Sequence, residues 1–123
     1  MPSDKPVVLI VDDDPDERAL LTEALERDSF TVVDAATGRE AQRILDTDPT
    51  VRVLIADILM PGISGVTLAE KATESRADVP VILISEIDSA APPKNSRYWF
   101  KKPVALDELR ALVASLCGVS SQP

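Results

Sequence analysis

Residues 8–15 read VLIVDDDP and pass in a single step from aliphatic to acidic side chains. The unbroken aliphatic run Val7–Val11 is typical of a strand that is buried on both faces. Pro15 stands where a proline favours the first turn of a helix, and Asp16–Arg27 then carries apolar residues at helical spacing. This stretch therefore predicts a buried strand that ends in aspartates and leads directly into a helix.

The same alternation of apolar runs and helical segments continues along the chain. Thr37 and Glu40 have the spacing of a capping box at the start of a second helix, and Ser64 can cap a third. Alternating strands and helices predict an α/β fold, in which right-handed crossovers build a parallel sheet covered by helices on both faces. The further predicted elements are strands at Thr31–Ala35, Val51–Ala56, Val79–Ile84 and Tyr98–Lys101, and a final helix over Leu106–Leu116.

Composition argues against several classes of function. The 123 residues suit one domain, which we expect to span residues 1–123 with a core at about 6–117 and a frayed tail at 118–123. A net charge of −8 disfavours direct binding to nucleic acid, and the absence of histidine removes the usual general base and a common transition-metal ligand. The sequence shows no signal peptide and no long apolar span, and its single cysteine, Cys117, cannot form an internal disulfide. We therefore expect a cytoplasmic protein without membrane insertion.

Chemically useful side chains follow several of the predicted strands. Asp12 and Asp13 follow the first strand, Asp57 the third and Ser85 the fourth, while Lys102 follows the fifth. Because function in parallel α/β sheets gathers at the carboxyl ends of the strands, we expect these residues to converge at one edge. Three carboxylates in one pocket are costly without a cation, and all-oxygen ligation favours magnesium, calcium or manganese.

Magnesium would leave room for phosphate chemistry at this edge. It typically takes one or two carboxylates and keeps further positions for phosphate oxygens. Lys102 offers a compact positive charge and Ser85 a hydroxyl donor to a phosphoryl group. A carboxylate is a recognised phosphoryl acceptor, and Asp57 is the best placed of the aspartates because it stands alone at a strand end before a turn.

Four sequence blocks resemble the signature blocks of bacterial two-component receivers. They are VLIVDDDP (8–15), ADILMPG (56–62), VPVILIS (79–85) and FKKP (100–103), and they occur in the same order over almost the whole chain. The resemblance implies a flavodoxin-like three-layer sandwich with a five-stranded parallel sheet flanked by helices. It also implies that the chain is a response-regulator receiver domain, which takes a phosphoryl group from the phosphohistidine of a sensor kinase.

The resemblance implies a set of roles for the metal site. Asp57 matches the phosphoacceptor, Asp13 the direct magnesium ligand and Asp12 its water-mediated helper. Leu59 matches the position whose backbone carbonyl binds the ion. Mg2+ is therefore the expected cofactor.

The remaining roles concern residues that contact the phosphoryl group or change conformation when it is present. Ser85 matches the switch hydroxyl, and Lys102 matches the lysine that pairs with the phosphoryl group, with a cis bond expected between Lys102 and Pro103. Trp99 occupies the place of the rotating aromatic switch, where receivers usually have tyrosine or phenylalanine.

The sequence departs from the receiver pattern between its fourth and fifth strands. Ser85 and Lys102 are 102 − 85 = 17 positions apart, more than one helical turn shorter than in typical receivers. The interval contains Pro92-Pro93, so we expect the fourth helix to be short or absent and the output surface to be altered. Glu86 follows the switch serine where receivers usually place a small residue, and it either repels an incoming phosphoryl donor or lies in solvent.

Three classes of function stay open at this point. The first is a phosphorylation-controlled signalling module whose partners are a sensor histidine kinase or phosphotransfer protein and an unknown output protein, with homodimerisation undecided. The second is a pseudo-receiver, a protein-binding module that keeps the fold without regulated phosphorylation. The third is an aspartate-nucleophile phosphatase, against which Leu59 argues because such enzymes place a general acid two residues after the nucleophile. The module is therefore expected to promote only its own phosphorylation and dephosphorylation, not to act as an enzyme on other substrates.

Overall fold

A five-stranded parallel sheet forms the centre of the protein. The computed structural model describes residues 6–28, 30–60, 62–86 and 98–118. The strands are β1 (Val7–Val11), β2 (Thr31–Ala35), β3 (Val51–Asp57), β4 (Val81–Ser85) and β5 (Tyr98–Lys101). They pair in the order β2-β1-β3-β4-β5, which is the flavodoxin-like order, so the chain reverses its direction of winding after β2 and places β3 on the opposite side of β1.

Four helices lie in the described residues, namely α1 (Pro15–Glu26), α2 (Gly38–Thr47), α3 (Gly65–Ser75) and α4 (Leu106–Leu116). α1 begins with Pro15 after the Asp14 N-cap. The hydroxyls of Thr37 and Ser64 cap α2 and α3 by accepting the backbone N–H of the residue three positions on. The predicted caps at Thr37 and Ser64 are confirmed, and they form because Ser and Thr hydroxyls satisfy the unpaired N–H groups at a helix start.

The sheet separates two hydrophobic clusters. Side chains on one face of β1, including Leu9, pack with residues of α2 and α3, such as Leu45 and Leu68. Side chains on the other face, including Ile10, pack with residues of α1 and α4, such as Leu25. Every residue of β1 is buried because helices cover both faces, which explains why its sequence is a continuous aliphatic run.

The predicted three-layer α/β sandwich with a five-stranded parallel sheet is confirmed, with small shifts at element ends. β4 begins at Val81, two residues later than predicted, and β3 extends to include Asp57. The prediction of a short or absent fourth helix falls on residues 87–97, which lie outside the described residues, as do residues 119–123 of the expected tail. None of the helices within the described ranges has the length and apolar character needed to span a bilayer.

Candidate functional site

The carboxyl ends of β1 and β3 bring three aspartates together. Carboxylate oxygens of Asp12, Asp13 and Asp57 all lie within 4.8 Å of one another, and we call these three residues the acidic pocket. Asp12 is 1% exposed and Asp57 is 5% exposed, whereas Asp13 is exposed. The convergence predicted from the strand ends is therefore present, and the pocket is open to solvent on the side of Asp13.

Hydrogen bonds from α1 and β2 hold the end of β1 in place. The backbone N–H of Asp12 donates to Ala35 O at 3.2 Å, and its Oδ1 accepts the backbone N–H of Asp14 at 2.9 Å. Arg18 donates from Nη1 to the carbonyl of Asp12 at 2.7 Å and from Nε to Asp34 Oδ2 at 3.0 Å. Sequence reasoning missed Arg18, although its place in the second turn of α1, just after the aspartates, was an available signal.

Lys102 contacts the acidic pocket directly. Its Nζ donates to Asp57 Oδ2 at 3.0 Å, and Asp57 Oδ1 accepts the backbone N–H of Leu59 at 3.2 Å. The backbone N–H of Lys102 donates to the carbonyl of Ser85 at 2.8 Å, which ties the end of β5 to the end of β4. The Lys102–Pro103 peptide bond is cis, as the sequence resemblance implied.

The other predicted site residues differ in how close they come to this pocket. Ser85 is buried at the end of β4, one residue after Ile84, which pairs with Asp57 in the sheet. The side chain of Leu59 is 52% exposed, and the predicted role of its carbonyl stays a prediction. Trp99 is half-buried on β5, where it packs against the cluster on the α2–α3 face of the sheet.

Lys102 is surrounded by more carboxylates than the sequence predicted. Its Nζ lies 2.8 Å from Glu17 Oε1, and 3.9 Å from both Asp12 Oδ2 and Glu86 Oε2. Burial alone would lower the pKa of Lys102, but its hydrogen bonds to Glu17 and Asp57 outweigh this and raise the pKa above its ordinary value. Lys102 is therefore a permanent positive charge inside a negative site.

Asp12 is less readily ionised than an ordinary aspartate. Burial raises its pKa from 3.8 to about 6, and the nearby charge of Asp57 acts in the same direction. The N–H of Asp14 and the charge of Lys102 oppose this rise without cancelling it. Burial in this pocket therefore destabilises the charged form of Asp12, which is the form that a cation would bind.

The pKa of Asp12 predicts how the stability of the metal-free protein depends on pH. Because its folded pKa of about 6 exceeds the unfolded value of 3.8, its stabilising contribution is complete below 3.8 and is lost as the pH rises through about 6. We expect Asp12→Asn to be more stable than wild type by about 1–3 kcal/mol at pH 7.5 in EDTA, with a smaller difference at about pH 5. Urea unfolding at both pH values measures this difference, and a difference independent of pH would contradict the prediction.

Gly65 sets the distance between α3 and the end of β3. A Cβ built on Gly65 would overlap the backbone carbonyl oxygen of Asp57 and would lie 2.8 Å from the Asp57 carbonyl carbon and from the Cα of Ile58. The Gly65 N–H also donates to the Ile58 carbonyl at 3.0 Å. The backbone that carries Asp57 thus packs directly on the first residue of α3, and a side chain there would have to displace it.

We expect Gly65→Ala to destabilise the protein by about 1–3 kcal/mol or more and to weaken cation binding in the acidic pocket, since the clash is with backbone rather than with a flexible side chain. Gly38→Ala is the matched control, because Gly38 is the first residue of α2 and its added Cβ would meet Ile63 atoms no closer than 3.0 Å. Urea unfolding and magnesium titration of both variants measure the effect. Equal losses in the two variants would show that the contact with Asp57 is not what matters.

The sheet order and the acidic pocket define a class of protein. The family model of the response regulator receiver domain matches residues 8–114, and the chain belongs to this family. Receiver domains are signalling modules of two-component systems rather than conventional enzymes.

Particular relatives and solved structures agree with this assignment. The sensor histidine kinase TmoS of Ectopseudomonas mendocina is 34% identical over 128 residues, which cover 95% of this chain but only 12% of TmoS. The response regulator TrrA of Thermotoga maritima, solved in complex with Mg2+-BeF, superposes with a TM-score of 0.82 at 29% identity over 90% of this chain and 98% of TrrA.

A third comparison concerns the fold alone. The receiver domain of Saccharomyces cerevisiae Ssk1, co-crystallised with the histidine phosphotransfer protein Ypd1, has a TM-score of 0.80 at 22% identity, over 91% of this chain and 88% of that one.

The acidic pocket fits the cation that its family implies. Its three donors are carboxylates, which are hard oxygen ligands suited to Mg2+, and their oxygens are close enough to share one ion. Burial, with a smaller contribution from the charge of Asp57, raises the pKa of Asp12 to about 6, so a bound cation would offset the cost of ionising this carboxylate. The described residues thus supply a site that a divalent cation would stabilise.

Proposed function

We propose that Asp57 accepts a phosphoryl group in a magnesium-dependent reaction, and that this controls the signalling state of the chain. The observation that carries the proposal is the 3.0 Å contact between Lys102 Nζ and Oδ2 of Asp57, one of the three aspartates of the acidic pocket. It pairs a carboxylate nucleophile with a cation that can hold a phosphoryl oxygen. Asp57 is 5% exposed and its carboxylate lies within 4.8 Å of that of the exposed Asp13, so a donor would approach from the side of Asp13.

The reaction needs a nucleophile and charge stabilisation but no strong base. An Asp57 carboxylate oxygen attacks the phosphorus, and the bond from phosphorus to the donor's imidazole nitrogen breaks. The electron pair of that bond stays on the leaving nitrogen, so the donor leaves as a neutral imidazole whose proton is on its other ring nitrogen, and the product is an aspartyl phosphate. The hydrogen bond from the Leu59 N–H to Asp57 Oδ1 orients the carboxylate and leaves Oδ2 towards Lys102.

Asp12, Asp13 and Asp57, together with the Leu59 carbonyl, are the groups that we assign to magnesium. Bound Mg2+ supplies the positive charge that offsets these carboxylates and attracts phosphoryl oxygens. Lys102 holds a phosphoryl oxygen from the side of β5. The hydroxyl of the buried Ser85 contacts a second phosphoryl oxygen. Trp99, on β5, changes its packing when Asp57 is phosphorylated and so alters the surface at β5.

The phosphoryl donor in this proposal is a sensor histidine kinase or a histidine phosphotransfer protein. The support is family membership and the solved complex of the similarly folded Ssk1 receiver with Ypd1. The proposal names no output protein, because the chain covers only 12% of the length of its relative TmoS.

Phosphorylation by a small-molecule donor tests the proposal. The protein is incubated with phosphoramidate in magnesium or in EDTA, and its intact mass is measured. We expect a gain of about 80 Da in magnesium only, released by hydroxylamine as an acyl phosphate is. No adduct, together with no magnesium binding in a titration, would contradict the proposal and favour a pseudo-receiver.

A further inference from the structure

Glu17 lies near the start of α1, at a position where a glutamate usually forms a hydrogen bond that another residue forms in this protein. It is the third residue of α1 after the Asp14 N-cap, where a glutamate commonly accepts the backbone N–H of the N-cap residue. In this protein the Asp14 N–H donates instead to Asp12 Oδ1 at 2.9 Å. The Glu17 carboxylate reaches Lys102 Nζ at 2.8 Å, so it joins the acidic pocket rather than the helix end.

Lys102 is held between an inner and an outer carboxylate. On the inner side Asp57, with its side chain 6% exposed, accepts from Nζ at 3.0 Å. On the outer side Glu17 is 36% exposed, while the Lys102 side chain between them is only 10% exposed. The ammonium has three N–H donors, so these two carboxylates engage most of its capacity at the place where a phosphoryl group would arrive.

The Glu17 carboxylate and a phosphoryl group would both accept hydrogen bonds from the Lys102 ammonium. Both present anionic oxygens to one ammonium, and the two anions repel each other at hydrogen-bonding distances from it. Glu86 is also acidic, but its carboxylate lies 3.9 Å from Nζ and its side chain is 70% exposed, so solvent screens it and it forms no hydrogen bond to Nζ. Glu17 is therefore the stronger competitor.

We propose that Glu17 is a positioning residue that holds Lys102 in the unphosphorylated pocket and competes with phosphoryl oxygens for its ammonium group. The inference rests on the proposed function, because the competition matters only if Asp57 is phosphorylated. Binding of a donor requires Lys102 to exchange Glu17 for the phosphoryl group. Glu17 thus raises the donor concentration that the site needs and favours return to the unphosphorylated arrangement.

Phosphorylation kinetics test the competition. The rate of phosphoryl gain is measured by intact mass over a range of phosphoramidate concentrations at saturating magnesium. We expect Glu17→Gln, which lacks the charge, and Glu17→Asp, which is one methylene shorter, both to lower the half-saturating donor concentration by about threefold to tenfold. Two controls make the same charge change elsewhere: Glu86→Gln at the rim, and Glu23→Gln on the exposed side of α1.

The comparison separates a specific hold on Lys102 from general repulsion of an anionic donor. General repulsion predicts that Glu17→Asp matches wild type and that Glu86→Gln matches Glu17→Gln, and that pattern would overturn the inference. Unchanged kinetics in both Glu17 variants would overturn it as well. We expect Glu23→Gln to leave the kinetics at the wild-type level.

Chemical labelling tests the contact without any phosphorylation. Lys102 is acetylated with a trace of acetic anhydride in EDTA, and its labelling is compared by peptide mass spectrometry with that of the exposed Lys71. We expect Glu17→Ala to raise the relative labelling of Lys102 by about threefold or more, since the substitution removes both the hydrogen bond from Nζ to Glu17 and the side chain that shields Nζ from solvent. Unchanged labelling would overturn the inference. A wild-type protein that gains no phosphoryl group and binds no magnesium would instead refute the proposed function, and labelling would still decide whether Glu17 holds Lys102.

Discussion

Asp57→Asn is expected to abolish the magnesium-dependent gain of about 80 Da completely, because a carboxamide cannot form the acyl phosphate. Asparagine has nearly the same shape, and its single side-chain oxygen can still accept either the Leu59 N–H or the Lys102 ammonium, which bind different oxygens of Asp57. The loss would therefore come from the chemistry of the group rather than from collapse of the site. Intact mass after incubation with phosphoramidate measures the effect.

The matched control for Asp57→Asn is Asp46→Asn, which makes the same change on the exposed surface of α2, where Asp46 accepts a hydrogen bond from Gln42 at 2.9 Å. We expect this control to be phosphorylated at the wild-type rate. An adduct that persists in Asp57→Asn would place the acceptor elsewhere, and peptide mapping would show whether Asp12 or Asp13 carries it.

Lys102→Met is expected to have the second large effect, on both stability and rate. Among the described residues, Lys102 is the cation that forms ion pairs with Asp12 and Asp57, whose side chains are 1% and 6% exposed. Removing one partner of a buried pair costs about 3–5 kcal/mol, and protonation of the carboxylates reduces that cost. We therefore expect the metal-free protein to lose about 2–4 kcal/mol near neutral pH.

Magnesium should restore part of that stability, because it supplies positive charge to the same carboxylates. The rate of phosphorylation should nevertheless stay about a hundredfold below wild type, since a donor to the developing phosphoryl charge has been removed. Urea unfolding with and without magnesium and the rate of mass gain measure the two effects separately.

Two controls accompany Lys102→Met. Lys102→Arg keeps the charge, so we expect near wild-type stability with a reduced rate, because its planar fork places the donors differently. Lys71→Met changes an exposed lysine of α3 and should leave both quantities unchanged. If Lys102→Met lowers the free energy of unfolding by less than about 1 kcal/mol, solvent rather than Lys102 stabilises the negative charges of the acidic pocket.

Much of the fold follows from local patterns in the sequence. The aliphatic run Val7–Val11 predicts a strand buried on both faces, and Pro15, Thr37 and Ser64 mark helix starts that the structure confirms. These predictions succeed because strand burial and helix capping depend on residues that are close in sequence. The boundaries of β3 and β4 shift by one or two residues, since strand ends depend on which neighbours are available for pairing.

The membership of the site also follows from the sequence once the sheet is parallel. Asp12, Asp13 and Asp57 each follow a predicted strand, and parallel strands bring their carboxyl ends to one edge. The sequence therefore determines which kinds of side chain meet: carboxylates with Lys102 beside them. It does not determine which carboxylates Lys102 contacts, because that depends on how far apart separate elements pack.

Only the tertiary structure decided those contacts. Glu17 and Lys102 are 102 − 17 = 85 positions apart, yet their charged atoms lie 2.8 Å apart because the start of α1, which follows β1, and the residue after β5 meet at the same edge of the sheet. Gly65 and the backbone of Asp57 meet through the packing of α3 on β3, and burial in the assembled pocket raises the pKa of Asp12 to about 6. Distances and burial of this kind arise from the joint packing of several elements, whereas the pattern within any one element encodes only which face it buries.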